Sequence, residues 1–421
     1  MSCSTGRRKL AALAACIGLL TAGGLLSAGS AVATKPEPVS AAPVLDWSRW
    51  AAQAIVVGRP PASSEVLIGI VHVAIADTVA GLGHGRPFLV DVRDDRLASA
   101  RAAVATAAYD VLRARVPGQQ TFLDATYGEY LAAVRDGDAK TRGVRLGQKV
   151  AAAVLAWRAN DGMANQVPYV QPPAGPGVWE PTAVTPPVDI VLTQVKPLVL
   201  RSSTQFRPAG PDPLTSRRYA RDVAEVAAVG RVDSAVRTEK QTETVRFWTD
   251  NAAQWTRALT ALAETRQLSI GAAARMLLRV HVSAADSLIT CWAAKFHFTS
   301  WRPVHAIQRG DTDGNPRTGT DPTWSPLLAA NHPEYPSGHS CFTNAVTTAL
   351  QSYFHTDRVR LVISSTVTGT TRSYDRLSDV GADVREARIL SGLHFRHAML
   401  DGEVLGRGVS HWVADHLRAA R

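Results

Sequence analysis

The feature that most constrains this chain is a succession of alanine-rich segments in which apolar side chains recur at helical spacing. The clearest case, residues 65–82, repeats its apolar side chains at Leu67, Ile70, Val71, Ile75 and Val79. Alanine favours helices, and runs of the β-branched residues that strands prefer are few. The predicted fold class is therefore all-α, a helical bundle with long crossover loops.

The same periodicity predicts nine further helices, at residues 96–113, 122–134, 142–157, 219–229, 239–265, 270–294, 340–354, 380–390 and 402–418. Residues 163–213 contain eleven prolines and little periodicity, so we expect this segment to wrap the core or cover a site. Residues 304–330 are rich in Gly, Asp and Pro and are predicted to form a loop.

The first 33 residues are predicted to be a signal peptide. Basic residues at 7–9 precede the apolar, uncharged residues 10–26, and small residues at 31 and 33 suit cleavage before Thr34. The arginine pair at 7–8 leaves general and twin-arginine export both open. The predicted location is therefore secreted, either extracellular or in the cell envelope.

The rest of the chain is divided into a linker (34–46), an N-terminal helical part (47–230) and a C-terminal helical part (231–421), expected to form one continuous globular unit. After the signal, no stretch is long and apolar enough for a stable membrane span. The formal charge of +10 falls to +7 without the signal, and no lysine-rich run or aromatic stacking pattern indicates nucleic acid. The oligomeric state is left open, a homodimer included.

Three short segments in the last third collect the side chains of an anion site. Lys295 is followed seven positions later by Arg302, residues 336–339 read Pro-Ser-Gly-His, and Arg388 is followed six positions later by His394. Guanidinium groups match tetrahedral oxyanions bidentately. A single arginine is more often a surface ion pair, but three cations and two histidines in one quarter of the chain favour a site.

The middle segment opens a helix. Ser337 and Gly338 stand where the first backbone N–H groups of that helix lack intrahelical acceptors, and such a terminus attracts anions. Glycine lets a ligand approach the backbone. The alternative for Ser337 alone is that it only caps the helix.

The pattern Lys295-x6-Arg302-Pro303, Pro336-Ser337-Gly338-His339 and Arg388-x5-His394 resembles the vanadium-dependent haloperoxidase and type 2 phosphatidic acid phosphatase superfamily. Three other segments are similar to its soluble bacterial haloperoxidase-like branch, namely His72 to Asp77, Arg237-Thr238 with Gln241, and Asp313 to Pro316. The resemblance covers nearly the whole mature chain and implies the helical bundle of these enzymes.

The resemblance implies an anion-binding role for five residues. Lys295, Arg302 and Arg388 would bind the equatorial oxygens of vanadate, or of phosphate in a phosphatase. Ser337 and the Gly338 N–H would assist them.

The two histidines would act on opposite faces of the anion. His394 would be the axial vanadium ligand, or the nucleophile that attacks phosphorus, and His339 would be the acid–base. In a haloperoxidase the pentavalent metal would act as a Lewis acid on hydrogen peroxide, Lys295 would polarise the peroxide, and a halide would attack it. The partners would be hydrogen peroxide, a halide and a small organic acceptor.

Two positions depart from the family pattern. Ala387 replaces a serine before the arginine, and Ala398 replaces an aspartate four residues after the histidine, with Asp401 three further on. The partner that orients His394 is therefore left open. His332 resembles the choice of bromoperoxidases, where chloroperoxidases tend to have phenylalanine.

Three functions remain as hypotheses. The first is an exported vanadate-dependent haloperoxidase, the second an exported acid phosphatase with a phosphohistidine intermediate, and the third a non-catalytic oxyanion-binding protein. Trp292 and Trp301 flank the first motif and either line a substrate pocket or belong to the core. Cys291 and Cys341 stand beside two of the motifs, either as a disulfide or as two buried thiols.

Overall fold

The computed structural model describes residues 40–92 and 95–419, so the predicted signal peptide and residues 34–39 of the predicted linker lie outside the described residues. Over the described part of the chain the all-α prediction is confirmed. The helices are α1 Ala42–Ile55, α2 Pro61–Gly81, α3 Ala100–Arg115, α4 Gln120–Ala132, α5 Asp138–Trp157, α6 Arg217–Val229, α7 Glu239–Phe247, α8 Ala253–Thr265, α9 Ile270–Phe298, α10 Pro303–Gln308, α11 Gly338–Phe354, α12 Leu377–Leu390 and α13 Arg396–Ala419. One antiparallel hairpin joins β1 Leu361–Ser364 to β2 Thr371–Tyr374.

Local sequence explains where several of these helices begin. Ser99, Ser216 and Ser269 each place a side-chain oxygen on the backbone N–H three residues later, at the starts of α3, α6 and α9. Thr238 and Gln241 form a reciprocal capping box at the start of α7.

Helix α2 is the centre of the N-terminal half. It packs against α9 on one side and against α1, α3 and α5 around the rest of its circumference. Of the described helices it alone is long and apolar enough to cross a membrane, which corrects the expectation that no stretch after the signal would be. All of its residues after Pro61 are buried inside the protein. Its continuous apolar surface is therefore accounted for by the core.

Helix α11 is the centre of the C-terminal half, between α9, α12 and α13. Two glycines allow α13 to approach it closely. A Cβ at Gly402 would lie 2.9 Å from the Ser337 carbonyl oxygen, and a Cβ at Gly406 would overlap the Cys341 carbonyl oxygen. This contact fixes α13 against the beginning of α11, where the middle motif lies. The described residues belong to one compact unit.

The long proline-rich segment is irregular as predicted, apart from a 3-10 turn at Ile190–Gln194. It is fixed to α9 by the buried carboxylate of Asp286, which accepts the backbone N–H groups of Leu198, Val199 and Leu200 at 2.6–2.9 Å. These bonds replace the pairing that a strand would give the segment.

Three sequence predictions of local structure were wrong, and one element was missed. Helix α1 begins inside the segment assigned to the linker, the short α10 lies inside the predicted loop 304–330, and the β-hairpin was not foreseen. The predicted helix 239–265 is two helices. Its break follows from two polar side chains: Asn251 Oδ1 accepts the Ala253 N–H at 2.9 Å, and Asp250 accepts bonds from Arg257 and Thr366.

Candidate oxyanion site

All seven predicted site residues lie at helix ends or in the turns that join them. Lys295 is in the last turn of α9, Arg302 precedes α10, Ser337 caps α11, Gly338 and His339 open α11, Arg388 is in the last turn of α12, and His394 lies between α12 and α13. The three segments therefore meet in space although they are far apart in sequence.

Lys295 is completely buried. Its ammonium donates to the carbonyl oxygens of Pro333 and Glu334 at 3.0 and 2.9 Å, and to that of Pro336. Burial, more than the nearby charge of Arg302, lowers the pKa of Lys295 to about 8. In this conformation the ammonium holds the chain just before α11, and an incoming anion would compete with these carbonyls for its N–H groups.

Arg302 is 2% exposed and links the segment before α11 to the third motif. Its Nε donates to the His332 carbonyl oxygen at 2.8 Å, and its Nη1 donates to the carbonyl oxygen of Leu393 at 2.9 Å. The Leu393 bond places the guanidinium beside His394. Burial lowers the pKa of Arg302 to about 10, which leaves it charged at neutral pH.

Arg388 joins the site to the wall formed by α7. Its Nη2 donates to the carbonyl oxygens of Val245 and Trp248, and its Nη1 donates to Nε2 of His339 at 3.2 Å. Its Nε is buried and has no acceptor among the described residues. Leaving a buried N–H without an acceptor costs free energy, so a bound anion would stabilise this guanidinium.

The net positive charge of the site also favours a bound anion. Within the described ranges, no carboxylate lies within ion-pair distance of Lys295, Arg302 or Arg388. Glu334 is the one acid that acts on the pKa of both Lys295 and Arg302. Three buried cations near one carboxylate leave excess positive charge, which a bound oxyanion would neutralise. The residues present therefore fit vanadate or phosphate.

Ser337 and Gly338 form the turn into α11. Ser337 is buried, caps the helix through a long 3.5 Å bond from the Ser340 N–H, and donates its own N–H to Ala398. A Cβ at Gly338 would lie 2.9 Å from the ring of Trp292. Glycine is thus needed for α11 to approach α9 here.

His339 accepts the hydrogen bond from Arg388 through Nε2, so this nitrogen carries no proton. The imidazole is exposed to a cavity but surrounded by protein and cations. Desolvation, followed by the charges of Arg388, Lys295 and Arg302, holds the pKa of His339 well below its usual value. The imidazole is neutral at pH 7 and can accept a proton.

The orienting partner of His394 is Glu334, which sequence reasoning missed. His394 Nδ1 lies 2.8 Å from Glu334 Oε1, and the same oxygen accepts the Phe395 N–H at 3.1 Å. Because Oε1 acts as an acceptor, Nδ1 carries the proton and Nε2 has a free lone pair. Burial raises the pKa of Glu334 to about 7, and burial also holds the pKa of His394 well below its usual value. The available signal was a carboxylate two residues before the Pro-Ser-Gly-His motif.

Asp401, the other candidate partner, does not contact His394. It accepts a hydrogen bond from the Tyr335 hydroxyl and lies 3.3 Å from His397 Nε2. His332 packs its ring 5.3 Å from that of Trp292 and 2.8 Å from an Arg302 nitrogen, so it lies at the edge of the site.

The two cysteines meet at the contact between α9 and α11. Both are buried thiols in this structure, with their sulfur atoms 2.8 Å apart. Cys291 is one turn before Lys295, and the Cys341 N–H donates to the Ser337 carbonyl oxygen, so the pair supports both motifs.

A cavity of about 100 Å³ opens beside His339. Its wall includes Trp292, as one of the two sequence alternatives predicted, whereas the buried Trp301 lines a different cavity. The remaining wall comes from α2, α8, α11 and the break between α7 and α8, and includes Glu65, Trp248, Trp255 and Phe342.

Comparisons with known proteins agree with this architecture. Residues 275–421 match a family described as the VCPO second helical-bundle domain. A bacterial vanadium-dependent iodoperoxidase superposes with a TM-score of 0.76 at 21% identity, over 90% of this chain and 98% of that one. Holo and apo structures of a bacterial vanadium-dependent chloroperoxidase superpose with TM-scores of 0.67 and 0.68, at 17% and 16% identity, over 86% and 87% of this chain and 92% and 95% of theirs. No curated protein matches the sequence.

The chain therefore has the fold of the vanadium-dependent haloperoxidases, and its last third matches the model of a second helical-bundle domain. The superfamily recognised from the three motifs is confirmed.

Proposed function

We propose that this protein is a vanadate-dependent haloperoxidase that oxidises a halide with hydrogen peroxide to a hypohalous-acid-type species. The observation that carries the proposal is the set of three buried cations without carboxylate ion-pair partners in the described chain, next to a histidine whose Nε2 is unprotonated. The solved structures it resembles, an iodoperoxidase and a chloroperoxidase, support the same activity.

Arg302, Arg388, Lys295, Ser337 and the Gly338 N–H would hold the oxygens of vanadate, and His394 Nε2 would bind the metal. Pentavalent vanadium, when bound, supplies a Lewis acid that activates hydrogen peroxide toward halide. Arg302 and Arg388 are fixed by backbone carbonyl oxygens, so their charges are already in place before the anion binds.

His339 supplies the proton transfer. Peroxide, halide and one proton give hypohalous acid and water. In each turnover the peroxide oxygen that leaves as water must therefore be protonated. The neutral imidazole can accept a proton from peroxide at Nε2, where the proton would replace the hydrogen bond from Arg388, and return it to that oxygen. The cavity beside His339 would bring the halide and the organic acceptor to the imidazole.

An acid phosphatase is the second candidate, favoured by the contact between Glu334 and His394. A nucleophilic imidazole needs an orienting acid, and Glu334 is in that position despite Ala398. The same five anion-binding residues would then stabilise the phosphoryl transition state. Export to the cell envelope or beyond remains part of the proposal in both cases, as does an organic acceptor in the first.

Purified protein separates the two candidates directly. It is assayed with orthovanadate, hydrogen peroxide and either iodide or bromide, and in parallel with p-nitrophenyl phosphate without vanadate. We expect halide oxidation that depends on vanadate and is lost in His394→Ala, whereas His411→Ala, an exposed histidine on α13, keeps it. Phosphate release without halide oxidation would replace the first candidate by the second. A fully active His394→Ala would refute the site.

A further inference from the structure

Two thiols that the proposed mechanism does not use lie next to each other at the contact between α9 and α11. Cys291 and Cys341 are both completely buried, and their sulfur atoms are 2.8 Å apart. A disulfide bond is about 2.05 Å long, so the two sulfur atoms would have to approach by less than about 1 Å to form one. The other cysteines of the chain, Cys3 and Cys16, fall within the predicted signal peptide.

The two helices are fixed against each other on both sides of this pair. Ser287, one turn before Cys291 on α9, donates its hydroxyl group to the Cys341 carbonyl oxygen at 3.0 Å. Gly338, one turn before Cys341 on α11, lets the ring of Trp292 pack against the helix, because a Cβ at this position would lie 2.9 Å from the ring. The fold therefore holds the two thiols together, and groups held in this way react with each other far more readily than free groups in solution.

The pair also lies between two of the segments that form the oxyanion site. Lys295 is one turn after Cys291, and the Ser337 carbonyl oxygen accepts the Cys341 N–H at 3.0 Å. The Cys291 sulfur lies 3.7 Å from the Pro336 carbonyl oxygen, which also accepts the ammonium of Lys295. A bond between the two sulfur atoms would therefore connect the helix turn of Lys295 to the first turn of α11.

The oxidation belongs to the folding chain, before α9 and α11 close. Burial raises the pKa of Cys341 well above its usual value, so its thiol keeps its proton in the folded protein and is a poor nucleophile. In the open chain, one thiolate attacks a sulfur atom of an external disulfide and releases one thiol. The second thiolate attacks the resulting mixed disulfide and releases the other thiol. Two electrons and two protons pass from the protein to the external disulfide.

We propose that Cys291 and Cys341 form a disulfide bond that links α9 to α11 and fixes Lys295 relative to the start of α11. The bond would close a loop of about 50 residues, which restricts the unfolded chain and stabilises the folded one. It would also hold two parts of the oxyanion site in register before an anion binds. This second effect rests on the proposed oxyanion site, whereas formation of the bond does not depend on it.

Refolding in a redox buffer tests formation of the bond. The full chain, with Cys3→Ser and Cys16→Ser in every sample, is unfolded with reductant and refolded either with oxidised and reduced glutathione or with reductant alone. Both samples are then denatured and treated with iodoacetamide. The glutathione sample should contain no alkylated cysteine and should give one linked peptide pair, 291 with 341, that separates on reduction. Two alkylated cysteines in a folded glutathione sample overturn the inference.

The effects of the bond are measured on the same two samples. The bridged protein should unfold about 5 °C higher than the reduced protein. Titration calorimetry with inorganic phosphate should give about threefold tighter binding to the bridged protein. Cys291→Ala is the matched control, because it is treated with the same buffers but cannot form the bond. Its Tm and its phosphate affinity should be equal in the two samples.

The possible results separate the parts of the inference. Equal phosphate affinity of the bridged and reduced proteins overturns the effect on the site, and equal Tm values overturn the stabilising role of the bond. If Cys291→Ala does not fold, the two samples of the protein with both cysteines still decide. Phosphate that binds neither sample refutes the oxyanion site together with the effect on it, while the peptide map still decides on the bond. Halide oxidation is assayed separately, so loss of the proposed activity is not confused with absence of the bond.

Discussion

Glu334 and His394 lie 60 residues apart in sequence and 2.8 Å apart in the structure, and this contact sets the protonation of the imidazole. The side chain of Glu334 holds the proton of His394 on Nδ1, while its backbone carbonyl oxygen accepts the ammonium of Lys295 at 2.9 Å. One residue thus positions both the histidine that would hold vanadate and one of the three cations.

Removing the Glu334 carboxyl group should weaken vanadate binding. Glu334→Ala deletes the acceptor that orients His394, and loss of such an outer partner typically costs about 10- to 100-fold in metal affinity. Glu334→Gln keeps an acceptor oxygen and should recover most of the loss. Equilibrium dialysis with orthovanadate measures both. Asp401→Asn, at the acid that does not contact His394, should bind as the wild type does, and the opposite order of the two positions would contradict the assignment.

Arg388→Ala should abolish most of the stabilisation that vanadate gives. A charge-assisted hydrogen bond contributes about 1.5–3 kcal/mol, so affinity should fall about 10- to 100-fold. The variant should also unfold at a lower temperature without ligand, because Arg388 holds two carbonyl oxygens of the α7 end. Thermal unfolding with and without orthovanadate separates the two effects. Arg396→Ala, which breaks partly exposed ion pairs to Glu225 and Glu386, should keep the vanadate-induced rise in Tm.

The buried pair His72 and His281 should make the protein sensitive to acid. Burial holds the pKa of His72 well below 6.5 and that of His281 at about 3, while Glu65 is held well above 4.5. Between pH 4.5 and 6.5 the unfolded chain gains two protons on the histidines and loses one from Glu65. Stability therefore falls as pH falls, by about 1.4 kcal/mol per pH unit from these three groups.

His72→Leu tests this directly, because it removes one of the two protons taken up on unfolding. The difference in unfolding free energy between wild type and variant should shift by about 1.4 kcal/mol per pH unit between pH 5 and 6. Urea unfolding at several pH values gives the comparison. A difference that does not vary with pH would mean that His72 is charged in the folded protein.

Two glycine substitutions should have opposite effects on stability. Gly406→Ala places a methyl group against the Cys341 carbonyl oxygen and should separate α13 from α11, at a cost of about 1–3 kcal/mol. Gly128→Ala, in α4, meets nothing within 4 Å and should stabilise that helix by about 0.5–1 kcal/mol. Calorimetric unfolding of the two variants checks both. If Gly406→Ala leaves the free energy of unfolding unchanged, the close contact of α11 and α13 is not required for stability.

The sequence predicted most of the helices because their apolar side chains recur at helical spacing, as in α6, whereas α2 is apolar on every side. The prediction failed where contacts between residues far apart in the sequence determine the local structure. The break at Asp250 depends on Thr366, more than one hundred residues later, and the start of α1 inside the linker depends on packing against α2, α3 and α8.

The site divides in the same way. Its cations and histidines were found because the three motifs are short and ordered along the chain. Glu334 was missed because its role depends on a contact across 60 residues, and Glu65 was missed because α2 reaches the cavity only in the folded protein. The residues next to each acid in the sequence do not indicate which side chain it contacts.

The most direct measurement of the central claim is a crystal structure of the protein soaked with orthovanadate, with anomalous scattering to locate vanadium. We expect one vanadium bonded to His394 Nε2, with its oxygens facing Arg302, Arg388 and the start of α11. Vanadium bound elsewhere, or a site that stays free of it at concentrations that saturate halide oxidation, would contradict the account.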